Sequence, residues 1–171
     1  MDYEIDVIYE AENDFLPDKK CVQALISAIL KEHGAVQVEI SIAFVNDAEI
    51  IELNRRFFNK STTTDVIAFD LLEEREDIQT IDYEYVPESK TETLANYKFI
   101  NKTAEGEIIV NADQAGKVSG EYGNTAFQET MLYIIHGLLH ILGYDDLETK
   151  AKNVMWIFQD YYFEKYVIAH D

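Results

Sequence analysis

Two of the four histidines in this chain, His136 and His140, lie four residues apart. On a helix that spacing is about 400° of rotation, so both rings leave one face, a turn apart. Gly143 closes the apolar run that carries them, and Asp146 follows in the next few residues. A turn at the glycine brings the Asp146 carboxylate back toward the rings. Two imidazole nitrogens and one carboxylate oxygen suit a single zinc ion and leave a fourth position for water. The plainer alternative is a pair of ordinary buried histidines on an apolar helix. The glycine after the helix and the acid at the third position weigh toward metal. So does the dry surround of Ile134, Ile135, Leu138, Leu139, Ile141 and Leu142, which fixes ligand rings and strengthens their bonds.

The spacing is that of the long zinc-protease motif H-E-x-x-H-x-x-G-x-x-H. Two positions depart from it. Gly137 stands where the protease carries its general base, and Asp146 stands at the third histidine. A glycine deprotonates nothing, so peptide hydrolysis needs a carboxylate from elsewhere, Glu107 and Glu129 being candidates. A carboxylate ligand is acceptable to zinc, but it lowers the net charge of the site and makes the metal a weaker Lewis acid.

The elements that hold these residues are legible from periodicity and end signals. Tyr3 to Tyr9 alternates as a strand, and Val36 to Val45 does so through Val36, Val38, Ile40, Ile42 and Phe44. Asp18 to His33 has helical spacing at Val22, Leu25, Ile26 and Ile29, with Gly34 as its stop. Asn46 and Glu49 form a capping box that opens a helix to about Phe58, and Thr125 with Gln128 forms another that opens the helix from Ala126 to Leu142. Asp65 to Leu71 and Gly106 to Asn111 read as strands. Asp113 to Tyr122 and Leu147 to Val167 read as helices, and a hairpin arm is expected near Tyr97 to Ile100. The fold class expected is α+β. It is one domain over residues 1–171, with a small mixed sheet of about four strands, helices packed on it, and the metal site at the end of a central helix.

Composition narrows the setting. The chain has 171 residues, 47% of them hydrophobic, with 2 prolines and 7 glycines, which suits a packed domain rather than a disordered one. No apolar run is long enough to cross a bilayer. The start, Met1-Asp2-Tyr3-Glu4, lacks the basic flank and apolar core of a signal peptide, so a cytoplasmic protein is expected. The lone Cys21 falls in an apolar helical stretch and is expected in the core. The 33 acidic residues against 14 basic give a net charge of -19, a field that repels RNA at long range. Part of that excess is gathered in an acidic insertion around residues 73–100, expected to be a solvated surface loop.

The run His136-Gly137-Leu138-Leu139-His140-Ile141-Leu142-Gly143-Tyr144-Asp145-Asp146 resembles the signature of the YbeY family, H-G-x-L-H-L-x-G-Y-D-H. Leu53-Asn54 followed by Thr64-Asp65-Val66-Ile67-Ala68-Phe69 is similar to the family's L-N-x-x-Y-R … P-T-D-V-L-S-F segment. Gly106-Glu107-Ile108-Ile109-Val110 is similar to its G-D-I-x-I strand. The resemblance implies a zinc-dependent single-strand endoribonuclease of ribosomal RNA maturation and ribosome quality control, with ribosomal RNA and the small ribosomal subunit as partners. It implies zinc on His136, His140 and Asp146, catalysis by the two histidines, and a pocket lined by Asn54, Thr64 and Asp65. The family's aromatic-arginine pair falls on Phe57 and Phe58, so the catalytic basic role is expected of Arg55 and Arg56 just upstream, with Lys60, Lys98 and Lys102 as further phosphate contacts. Asp145 either orients a ligand ring or caps the turn. The aromatics Trp156, Phe158, Tyr161, Tyr162, Phe163 and Tyr166 allow a base-stacking reading, but at helical spacing they are expected to form the helix's core face plus an amphipathic margin, and no function is expected of them. Two other functions fit the same residues: a ribosome-assembly factor with a structural zinc, and a metal-dependent hydrolase of a peptide or small molecule.

Overall fold

The computed structural model describes residues 2–72 and 103–170. Four strands, β1 (Asp2–Tyr9), β2 (Gln37–Val45), β3 (Val66–Asp70) and β4 (Thr103–Asn111), form one sheet in the order β1-β2-β4-β3. β1, β2 and β4 run parallel, and β3 closes the far edge antiparallel to β4. The helices are α1 (Lys19–Glu32), α2 (Asp47–Phe58), α3 (Ala112–Tyr122), α4 (Ala126–Ile141) and α5 (Thr149–Tyr166). A short 3-10 turn follows at Ile168–His170. The architecture is α+β with a mixed four-stranded sheet, as expected. No described helix is long and apolar enough to cross a membrane.

Alternation along β2 decides the layering. Val38, Ile40, Ile42 and Phe44 turn to one face, where they meet α1, α4 and α5 in the main core with Ile26, Ile134, Leu138, Phe158 and Tyr162. Each such side chain stabilises the fold by about 1.5–3 kcal/mol through burial. The other face carries Glu4, Asp6, Glu39, Ser41, Glu105 and Glu107 around a shallow depression. A smaller cluster there, Val45, Ile50 and Ile67, seats α2.

α4, strongly apolar from Met131 onward apart from its two histidines, lies centrally, on β3 and β4 and beside α3 and α5. Gly137 allows that approach. A Cβ built on it would stand 2.7 Å from Ile108 Cγ2 on β4 and 3.2 Å from Val66 Cγ2 on β3. Both expected capping boxes are formed, at Asn46 with Glu49 and at Thr125 with Gln128.

Element ends differ from the sequence reading for local reasons. β4 begins at Thr103 rather than Gly106, because Ala104 and Gly106 turn inward while Glu105 and Glu107 face outward. α3 begins at Ala112, because Asn111 rather than a later residue caps it, accepting from Gln114 N. Val36 lies outside β2 and is exposed. Cys21 is half-buried at the margin of the core, and burial raises its thiol pKa. The acidic insertion and the hairpin arm near Tyr97 to Ile100 lie outside the described residues.

Candidate metal centre and its cleft

α4 delivers His136 and His140 from consecutive turns with their Nε2 atoms 3.1 Å apart. Gly143 then takes φ 97°, a left-handed turn that favours glycine, and the chain folds back. Asp146 arrives with Oδ2 3.6 Å from His136 Nε2 and Oδ1 3.9 Å from His140 Nε2. Bonds of about 2.0–2.1 Å in a tetrahedral zinc site put ligand atoms about 3.3–3.4 Å apart, so these spacings suit one ion. Among the described residues this is the one group of three metal-binding side chains.

Hydrogen bonds set the protonation of the rings. The Tyr144 carbonyl lies 3.0 Å from His140 Nδ1 and only accepts, so Nδ1 carries the proton and Nε2 a lone pair. His136 Nδ1 faces Gln159 Oε1 on α5 at 2.8 Å and donates to it, with the same result. Two lone pairs and a carboxylate therefore converge, a donor set built for a cation. Burial, and then the neighbouring His136, lower the His140 pKa and favour the neutral ring that a metal would require.

The turn is anchored from behind. Tyr144 is buried, and its hydroxyl donates to His33 Nε2 at 3.4 Å. His33, at the end of α1, donates from Nδ1 to the Ile29 carbonyl at 3.0 Å and meets the Tyr162 hydroxyl at 3.1 Å. Burial lowers the His33 pKa, against the weaker opposing pulls of its bond to Ile29 and of Glu32. The unfolded chain therefore binds this proton more readily than the folded one. The stability that His33 allows is full above its unfolded pKa of about 6.5 and is lost as pH falls below it toward the depressed folded value. Thermal melts should show His33→Gln with a lower Tm than wild type at pH 7.5 and a shallower fall between pH 7 and pH 5.5. Parallel curves would remove His33 from the acid response.

His136 and Asp146 open on a cleft of about 680 Å³. Thr64 and Asp65 line it from the loop before β3, Glu129 and Tyr133 from α4, and Lys152, Trp156 and Gln159 from α5. The Thr64–Asp65 loop is lashed down by the buried Asn111. Its amide donates to Asp47 Oδ1 at 2.7 Å, Thr63 Oγ1 at 3.0 Å and the Thr64 carbonyl at 3.0 Å. The hydrogen bond from Lys117, then those from Thr63 and Asn111, hold the Asp47 carboxyl at about 2. Thr64 and Asp65 thus line the cleft as the resemblance implies. Asn54 does not: it is buried, and donates to the Thr62 carbonyl at 2.8 Å to brace the same loop from behind.

The expected basic residues are placed elsewhere. Arg55 is exposed on α2 and grips Glu52 through two bonds of 2.9 and 2.6 Å. The Arg56 guanidinium lies 5.5 Å from the Phe57 ring centroid. Neither lines the cleft. Phe57 and Phe58, at the family's aromatic-arginine positions, instead pack on Phe69 at 5.0 and 6.1 Å. Lys60 is exposed beyond the end of α2, and Lys98 and Lys102 lie outside the described residues. Asp145 caps the turn, accepting from Leu147 N at 3.1 Å, while the ring partner of His140 is the Tyr144 carbonyl. Glu107 faces the outer sheet depression, whereas Glu129 is buried and lines the cleft.

The model of the family described as Endoribonuclease YbeY matches residues 8–167. The chain belongs to the YbeY family. The Endoribonuclease YbeY of Clostridium kluyveri is 33% identical over 156 residues, covering 86% of this chain and 88% of that protein. That of Listeria innocua is 33% identical over 168 residues, covering 95% of both. The solution structure of a Thermotoga maritima protein superposes with a TM-score of 0.57 at 25% identity, covering 95% of this chain and 88% of that one. Within the YbeY signature, Gly137 is explained by close packing on β4 and Tyr144 by its double anchorage of His140 and His33. Sequence reasoning missed Gln159 and His33, whose partners are distant along the chain. The aromatic stripe of α5 divides into a core face and a margin as expected: Phe158 and Tyr162 are fully buried, and Trp156 is exposed on the cleft wall.

Proposed function

We propose that this YbeY-family chain is a zinc-dependent endoribonuclease that cleaves single-stranded RNA, acting in the cytoplasm on ribosomal RNA with the small ribosomal subunit as its setting. The observation that carries this reading is the convergence of His136, His140 and Asp146 at a cleft. When bound, the metal supplies a Lewis acid for a water or a phosphate oxygen and stabilises charge developing in cleavage. The chain does the rest. Gln159 and Tyr144 hold the two rings in the ligating tautomer. Asp65, fixed by bonds from Thr64 Oγ1 and Val66 N to its Oδ1, keeps a second carboxylate oxygen for accepting a proton. Lys152, the one cation lining the cleft among the described residues, offers a phosphate contact.

Zinc-loaded protein should cut a single-stranded RNA and spare the same sequence in a duplex, and leave casein intact. Cleavage of casein instead would transfer the site to peptide chemistry. The position of Gly137 weighs against that, because a side chain there enters the sheet rather than the site. Arg55 and Arg56 serve in this reading as outer phosphate contacts on longer RNA. Replacing both with Ala should weaken binding and reduce the salt slope by about 0.7 for each phosphate that is no longer neutralised, with kcat unchanged. An unchanged slope would take them off the RNA path.

A second reading has one observation in its favour. Asp65, Glu129 and Asp146 line the cleft against a single lysine, a balance better suited to a basic protein than to RNA. A docking factor of that kind would copurify with ribosomal particles and cleave nothing.

A further inference from the structure

α5 presents Lys152, Trp156 and Gln159 to the cleft at helical spacing, one stripe along a single wall. Gln159 holds His136, so the stripe ends at the metal ligands. Trp156 is the sole tryptophan of the chain and is 47% exposed, although its neighbours Met155 and Phe158 are buried. The Lys152 ammonium stands 4.7 Å from the indole centroid. That arrangement orients the ring and puts a positive charge beside it.

An exposed indole with a cation beside it, a helical turn from the residue that orients a metal ligand, matches the parts of a single-strand binding site. Aromatic faces stack bases without regard to sequence, and lysine contacts the backbone. A duplex keeps its bases stacked on one another and offers no free face. Stacking also gives a chain of net charge -19 an attraction that does not depend on opposing its own field. We propose that Trp156, flanked by Lys152, is the subsite that stacks one base of single-stranded RNA and so sets where the strand lies relative to His136 and Asp146. The proposal rests on the RNA-cleaving reading above and names how that site selects single strands.

The sole tryptophan reports on its own subsite. Zinc-loaded full-length protein would be titrated with a short 2′-O-methyl single-stranded oligonucleotide, following indole fluorescence and anisotropy of an end label. The expected results are quenching on binding, and a Kd weakened about 5- to 150-fold by Trp156→Ala and less by Trp156→Phe. An abasic scan of the oligonucleotide supplies the second arm. One position should weaken binding by a similar factor in wild type and by nothing further in Trp156→Ala, which ties the indole to one base. Zinc content and circular dichroism of each variant separate unfolding from removal of the stacking face. Binding without quenching, or with Kd unchanged in Trp156→Ala, would overturn the subsite while RNA cleavage by wild type left the enzyme reading standing. A wild type that neither binds nor cleaves single-stranded RNA would overturn both.

Discussion

Wild-type protein supplied with zinc should carry close to one ion per chain by elemental mass spectrometry, and His140→Ala and Asp146→Ala should each carry almost none at the same free zinc. Each substitution leaves two of three protein ligands, and a two-ligand site on a solvent-open turn holds zinc far more weakly. RNA cleavage should fall with the metal, below detection in both variants. Gln159→Leu should keep the metal with affinity reduced about 10- to 100-fold, because the His136 ring loses the partner that fixes its tautomer. Asp146→His restores the family's third ligand and should keep the ion. A zinc-free wild type would make the histidines a core pair and hand the chain to the docking reading.

The second large effect is expected at Gly137. Helix propensity alone says that Gly137→Ala stabilises by about 1 kcal/mol. Packing says the reverse. The added methyl meets Ile108 Cγ2 at 2.7 Å, and Ile108 is fully buried on β4. Overpacking of this kind costs about 1–3 kcal/mol, so the net change should be destabilising, and chemical denaturation should show it as a lower midpoint with an unchanged m value. Gly137→Glu adds a buried charge and should leave little folded protein. A cycle with Ile108→Ala isolates the cause: in that background Gly137→Ala should be neutral or stabilising. A cost that persists there would place the strain in the helix rather than against β4.

How much of this was legible in the sequence depends on the range of each interaction. Elements with local signals could be read: both capping boxes, the alternation of β2, and the pair of histidines with the glycine and acid that follow. All of these are set within a few residues. Strand order was not legible, because nothing in β4 says that it inserts between β2 and β3. The members of the site that come from afar were equally silent. Gln159 reaches His136 from α5, and His33 reaches Tyr144 from α1, and neither residue type announces a metal neighbour. The aromatic stripe of α5 is legible as a core face with a margin, but helical spacing does not say that Trp156 is the member that faces the cleft. Arg55 and Arg56 lie next to a motif in the sequence, and helical rotation on α2 turns them from the cleft.

All three candidate metal ligands come from one helix and the turn after it, and that governs what an ion bound there could do for the protein as a whole. A metal stabilises strongly as a cross-link when it closes a long loop, because the entropy it removes from the unfolded chain grows with loop length. Here the clip closes only the short stretch from His136 to Asp146, and an unfolded chain keeps those three ligands close enough to bind zinc as well, which reduces the stabilisation further. The core of Ile26, Ile134, Leu138 and Phe158 is complete without it. A metal at this position would therefore be a poor staple, and a place on an open cleft would suit it as a reagent.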